Sequence, residues 1–113
     1  MVTILGNLLD NAVEAVSVAK EKSISFETDF RNNFSVIIIS NSCDRNPLNE
    51  SGDITETTKN NKRLHGFGLK SVKRTIKKYN GDIAFDYDSD KNIFVVTVMI
   101  ENSYNWIDLF LKA

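Results

Sequence analysis

The sequence predicts an α/β fold, a two-layer sandwich in which a mixed, mainly antiparallel sheet is covered by helices on one face. Three observations carry that prediction. Along the 113 residues, segments of helical and of alternating apolar period follow the order helix, two strands, helix, two strands. The two halves are separated by "NSCDRNPLNESGDITETTKNNKRLH", Asn41 to His65, where the apolar pattern stops and the only proline lies. The length supports one buried core and not two, so residues 1–113 are read as a single domain.

Ile4, Leu5, Leu8, Leu9, Ala12, Val13 and Val16 recur at helical spacing and predict a first helix ending near Lys20. No capping residue precedes it, so the chain is expected to be a piece of a larger protein, entered inside a once longer helix. "SISFETDF" alternates through Ile24, Phe26, Thr28 and Phe30, as a half-buried strand does, and Asn32-Asn33 turns the chain into "FSVIIIS". That second run is apolar at consecutive positions, the mark of a central strand buried on both faces. After the long irregular stretch, Leu69, Val72, Ile76 and Tyr79 set the buried stripe of a second helix, stopped by Asn80-Gly81. "DIAFDYD" and "NIFVVTVMI" then form a hairpin through "SDKN". The tail, residues 101–113, offers Trp106, Leu109 and Phe110 as one face of a short helix.

A net charge of −1 argues against a nucleic-acid-binding domain, which carries a basic excess to displace counterions. A single cysteine, Cys43, excludes an internal disulfide, and with one histidine it cannot build a zinc site. No apolar run reaches the roughly 20 residues that cross a bilayer, so this segment is not expected to be membrane-embedded.

Two constellations point to chemistry. Asn7, Asn11 and Glu14 stand at i, i+4 and i+7, on one narrow stripe of the first helix beside its apolar face. Amide and carboxylate oxygens so placed can ligate a hard cation such as Mg²⁺, which takes few protein oxygens and completes its shell with water and phosphate; a solvated stripe is the alternative. The second constellation is "HGFGLKSV", His65 to Val72. Two glycines allow close backbone approach just before a helix N-terminus, whose free N–H groups and dipole accept phosphate. A flexible hinge entering a helix is the competing explanation. "TTK", Thr57 to Lys59, with Arg63 and Lys70, adds hydroxyls and cations suited to a polyphosphate. Lys73, Arg74, Lys77 and Lys78 flank the buried stripe of the second helix and read as a solvated face.

Together, "LGNLLDNAVEA", a strand ending at Asn41, the "TTK" stretch and "HGFGLKSVKRTIKKYNGDI" resemble the ATP-binding domain of the GHKL superfamily, from Ile4 to Ile100. Within it, the nearest likeness is to the catalytic domain of sensor histidine kinases of the peptide quorum-sensing type. The resemblance implies the Bergerat fold, with residues 42–67 as an ATP lid, and ATP and Mg²⁺ as cofactors. It makes "NLLDN" the N box, with Asn11 ligating Mg²⁺ and Asn7 supporting metal and phosphates. Many relatives carry a lysine where Glu14 stands. Thr58, Lys59, His65, Gly66, Phe67, Gly68, Leu69 and Lys70 become nucleotide-binding residues. The family's adenine-reading aspartate is replaced by Asn41, and the glycines that follow it are missing; Asp44 is a less suitable substitute.

The function implied is that of a two-component protein histidine kinase core, whose partners are its own phosphoacceptor and dimerisation domain and a response regulator. It would be the cytoplasmic domain of a membrane-anchored protein. The alternatives on the same fold are a non-catalytic, nucleotide-regulated binding module and an anti-sigma-type serine kinase.

Overall fold

The computed structural model describes residues 4–52 and 69–101. Their elements are α1 (Ile4–Ser17), β1 (Ile24–Arg31), β2 (Phe34–Ser42), α2 (Leu69–Lys78), β3 (Asp82–Asp88) and β4 (Ile93–Glu101). The strands form one sheet in the order β1-β2-β4-β3, antiparallel at every pairing. Both helices pack on one face, giving the two layers expected from the sequence.

Alternation along each strand builds the core. Ile37 and Ile39 of β2, Ile83 of β3, and Phe94, Val96, Val98 and Ile100 of β4 meet Ile4, Leu8 and Ala12 of α1 and Leu69, Val72 and Ile76 of α2. Ile76 is fully buried at the centre of the α2 stripe. β2 is shielded on both faces, because Val36, on the side away from the helices, is also buried. This is the central strand that the consecutive apolar run predicts.

β1 departs from expectation. It is exposed along its whole length, and Phe26 and Phe30 are 47% and 67% accessible on the helix-facing side. The alternation is real, but β1 is an edge strand, and α1 lies chiefly over β2. Tyr79 also leaves the predicted stripe: α2 ends at Lys78, and Tyr79 stays exposed.

The helix ends have local causes. α1 stops at Ser17, short of Lys20. Lys22 Nζ donates to the main-chain oxygens of Val16 (3.0 Å), in the last turn, and of Ala19 (2.8 Å), just beyond the helix. At the end of α2, Gly81 N–H donates to Ile76 O (3.1 Å) and Asn80 N–H to Lys77 O (3.2 Å), the double bond pattern of a Schellman stop. Asn80 takes the left-handed conformation, with φ 58°. Gly81 is needed for space: a Cβ there would come within 2.7 Å of both Ile100 Cδ1 and Met99 O. Asn32 and Asn92 take left-handed conformations in the two hairpin turns, with φ 54° each.

α2 forms in spite of its charges. Its sequence LKSVKRTIKK contains five like-charged neighbours at i, i+3 or i+4, namely Lys70–Lys73, Lys70–Arg74, Lys73–Lys77, Arg74–Lys77 and Arg74–Lys78. Each such pair costs about 0.2–0.5 kcal/mol. Burial of Leu69, Val72 and Ile76 holds the helix against them.

Candidate functional site

α1 carries the two asparagines on successive turns, Asn7 and Asn11. Asn11 is half-buried, and its Nδ2 donates to the main-chain oxygen of Asn7 at 2.8 Å. Tying the amide nitrogen back to the helix turns Asn11 Oδ1 away from the backbone as an acceptor. Asn7 is only 3% exposed, and its Oδ1 is buried with no hydrogen-bond partner. An unsatisfied buried acceptor costs about 1–3 kcal/mol. Glu14 is half-buried one turn further on, and its main-chain oxygen accepts the Ser17 hydroxyl at 2.6 Å.

Two amide oxygens on one stripe fit a hard cation in donor chemistry. No group of three or more His, Cys, Asp and Glu able to hold a metal exists among the described residues.

Asn41 closes β2 on its helix-facing side, 3% exposed, with Nδ2 donating to Ser42 O at 3.0 Å. With the nitrogen so used, Oδ1 is the group left to read a donor such as an exocyclic amine. No hydrogen bond links Asn41 to Asn7 or Asn11. It lies instead toward the other end of α1: the segment after β2 meets the chain just beyond that helix, where Lys20 N–H donates to Asp44 Oδ2 at 3.0 Å. From Asn11 to Ser17 the helix rises about 9 Å.

The exit of β2 is tied down by residues that carried no signal in the sequence. Ser42 Oγ accepts Ser23 N–H (3.0 Å) and donates to Glu21 O (2.6 Å). Cys43 N–H donates to Asn92 O (2.8 Å), and the Tyr87 hydroxyl donates to Cys43 O (2.7 Å), with Asn92 Oδ1 at 3.0 Å. Burial first, then the charges of Cys43, Asp44 and Asp88, push the Tyr87 phenol above its ordinary value. Asp44, the less suitable substitute for Asn41, accepts the Lys20 main-chain N–H through Oδ2 at 3.0 Å. Alternation places Tyr87 with Phe85 on the helix-facing side, but nothing in the sequence marks the partner of its hydroxyl.

α2 is described from Leu69, next to the glycine-rich motif. Leu69 is buried in the core, so it contributes packing and the helix start, while Lys70 is exposed beside it. Thr58, Lys59, His65, Gly66, Phe67 and Gly68 lie outside the described residues, as do the rest of the expected lid from 53 to 68 and the tail beyond Glu101. Among the described residues no helix is long and apolar enough to cross a membrane.

No curated protein matches this chain. The GHKL domain family does, over residues 1–101. That span takes in every described element, the two asparagines of α1, and the start of α2. ATP binding is the function this match supports. The antiparallel sheet under two helices is the arrangement of that family, and the chain belongs to it as a GHKL domain.

Proposed function

We propose that this domain binds Mg-ATP and donates the γ-phosphate to a histidine on a dimerisation domain outside this chain, as the catalytic core of a two-component sensor histidine kinase of the peptide quorum-sensing type. The observation that carries the reading is the paired asparagines, with Asn7 Oδ1 buried and unpartnered and Asn11 Nδ2 tied to the main-chain oxygen of Asn7. Asn11 would ligate Mg²⁺, with Asn7 supporting metal and phosphates. When bound, the ion neutralises charge on the phosphates being separated. Asn41 Oδ1 would accept a hydrogen bond from the adenine amine. Being a neutral amide where a carboxylate binds more strongly, it sets a modest nucleotide affinity.

By the family resemblance, Gly66, Gly68, Leu69 and Lys70 would bind phosphate, and Thr58, Lys59, His65 and Phe67 would be further nucleotide contacts. Phosphoryl transfer asks the protein chiefly for positioning and charge neutralisation, and these residues serve that role without a nucleophile of their own. His65 belongs to the nucleotide cover and is not the phosphoacceptor. The chain alone should therefore bind ATP without labelling itself.

Incubation with γ-labelled ATP, first of the chain and then of the chain extended by a phosphoacceptor and dimerisation domain, tests the proposal. Acid-labile label on histidine in the extended protein alone is the expected result. Label on the chain alone, or none in either, would overturn the kinase reading, and the second outcome would favour a nucleotide-regulated binding module.

A further inference from the structure

We propose that residues 102–113 fold back over the outward, helix-free face of the sheet and seat Trp106, Leu109 and Phe110 on an apolar strip of β2 and β4. The register defines that strip. Phe34, Val36 and Ile38 of β2 point away from the helices, beside Met99 and Val95 of β4. The edge strands bound it with carboxylates, Glu27 and Asp29 on β1 and Asp82, Asp86 and Asp88 on β3.

The strip is not what a solvated sheet face looks like. Antiparallel sheets open to water on one side alternate apolar with polar residues, as β1 and β3 do, whereas β2 and β4 are apolar on both sides. Val36 is only 2% exposed although both helices lie on the opposite face. Side chains stand roughly perpendicular to a sheet. Neighbours in the same face therefore cover the flanks of Val36 but not its outer end. Phe34, Ile38 and Val95 are half-buried there as well. On the helix-facing side, by contrast, Phe26 and Phe30 of β1 stay 47% and 67% exposed, so no cover lies over them.

The position and length of the tail make it the occupant. Glu101, the last residue of β4, pairs with Phe34, so the chain leaves the sheet at the head of the strip. Residues 102–113 follow, outside the described residues. Asn102 and Ser103 suit a reversal of direction, Asn105 suits a helix cap, and Asp108 adds a carboxylate to the first turn. Trp106, Leu109 and Phe110 then share one face at i, i+3 and i+4. As a helix, residues 106–113 are about 12 Å long, and Phe34 to Ile38 spans about 13 Å. The carboxylate rims stand three strand spacings apart, about 14 Å, which admits a helix about 10–12 Å across. The same rims repel the like face of a second copy, an anionic bilayer or a nucleic acid. Covering the strip keeps this apolar surface from associating with other proteins.

The test uses the whole chain, in which Trp106 is the only tryptophan and reports the tail directly. Its emission should lie at shorter wavelength than in urea, and it should be shielded from acrylamide at every protein concentration. Leu109→Asp should shift that emission to longer wavelength and move the Ile38 δ1-methyl NMR signal, assigned through Ile38→Val, while the amide spectrum stays dispersed. Phe30→Ser, on the opposite face, should change neither. Wild-type emission equal to that of the unfolded chain would overturn the proposal, as would an Ile38 signal unmoved by Leu109→Asp. So would a Trp106 shift in Phe30→Ser, which would put the tail over β1. Shielding that is lost on dilution together with a dimer mass would assign the strip to a second copy instead.

Discussion

Asn7→Leu separates a residue kept for the fold from one kept for a ligand. Asn7 is 97% buried, yet its Oδ1 has no hydrogen-bond partner. Leaving such an acceptor unsatisfied costs about 1–3 kcal/mol. Leucine has comparable length and no polar atoms, and it is the better helix former by a few tenths of a kcal/mol. Against this stands imperfect shape, which takes back up to about 1.5 kcal/mol in a packed interior. The nucleotide-free variant is therefore expected to be more stable by about 1 kcal/mol, read as a higher urea midpoint at unchanged slope. The same variant should lose Mg-ATP binding in calorimetry. That combination, stability gained and function lost, is the behaviour of a site residue retained at the expense of the fold. A loss of more than about 1 kcal/mol would refute the reasoning, because the amide would then be a structural anchor.

Further outcomes follow from the packing. Gly81→Ala brings a methyl within 2.7 Å of Met99 O, a backbone atom that cannot swing aside, and should destabilise the domain by about 1–3 kcal/mol in urea unfolding. Ile76→Ala opens a cavity at a fully buried position between α2 and the sheet and should cost about 2–5 kcal/mol by the same measurement. Tyr87→Phe removes the hydroxyl that holds Cys43 O and Asn92 Oδ1 and should cost about 1–2 kcal/mol near neutral pH. Because the folded state raises the Tyr87 phenol, the unfolded chain ionises first, near its ordinary value of about 10. The stabilising contribution is thus complete below that pH and lost as pH rises through the folded value. Unfolding followed into alkaline solution should show the wild type falling toward the variant there, and parallel curves would contradict it.

Much of the fold was legible because its signals are periodic. The Leu69, Val72 and Ile76 stripe, the Asn80-Gly81 stop and the Asn32 and Asn92 turns all appear where helical spacing and turn chemistry place them. The exposure of β1 was not legible, since alternation reports which side chains share a face but not whether a helix reaches it; Phe26 and Phe30 need the sheet order to be understood. Of the site, the i, i+4 spacing of Asn7 and Asn11 could be read directly. The orphaned oxygen of Asn7 and the bond that orients Asn11 required coordinates. The clamp on the β2 exit was invisible for a different reason: Ser42, Tyr87 and Asn92 act through main-chain partners distant in sequence, and no spacing encodes those.

The central claim, a nucleotide site organised around the α1 asparagines, is tested most directly by calorimetric titration of ATP into the wild type, Asn11→Ala and His65→Ala, with and without Mg²⁺. The wild type should bind more weakly than the low micromolar range and only with the metal present; Asn11→Ala should abolish that binding, and His65→Ala should weaken it slightly. Undiminished Mg-dependent binding in Asn11→Ala, or a larger loss in His65→Ala, would contradict the account.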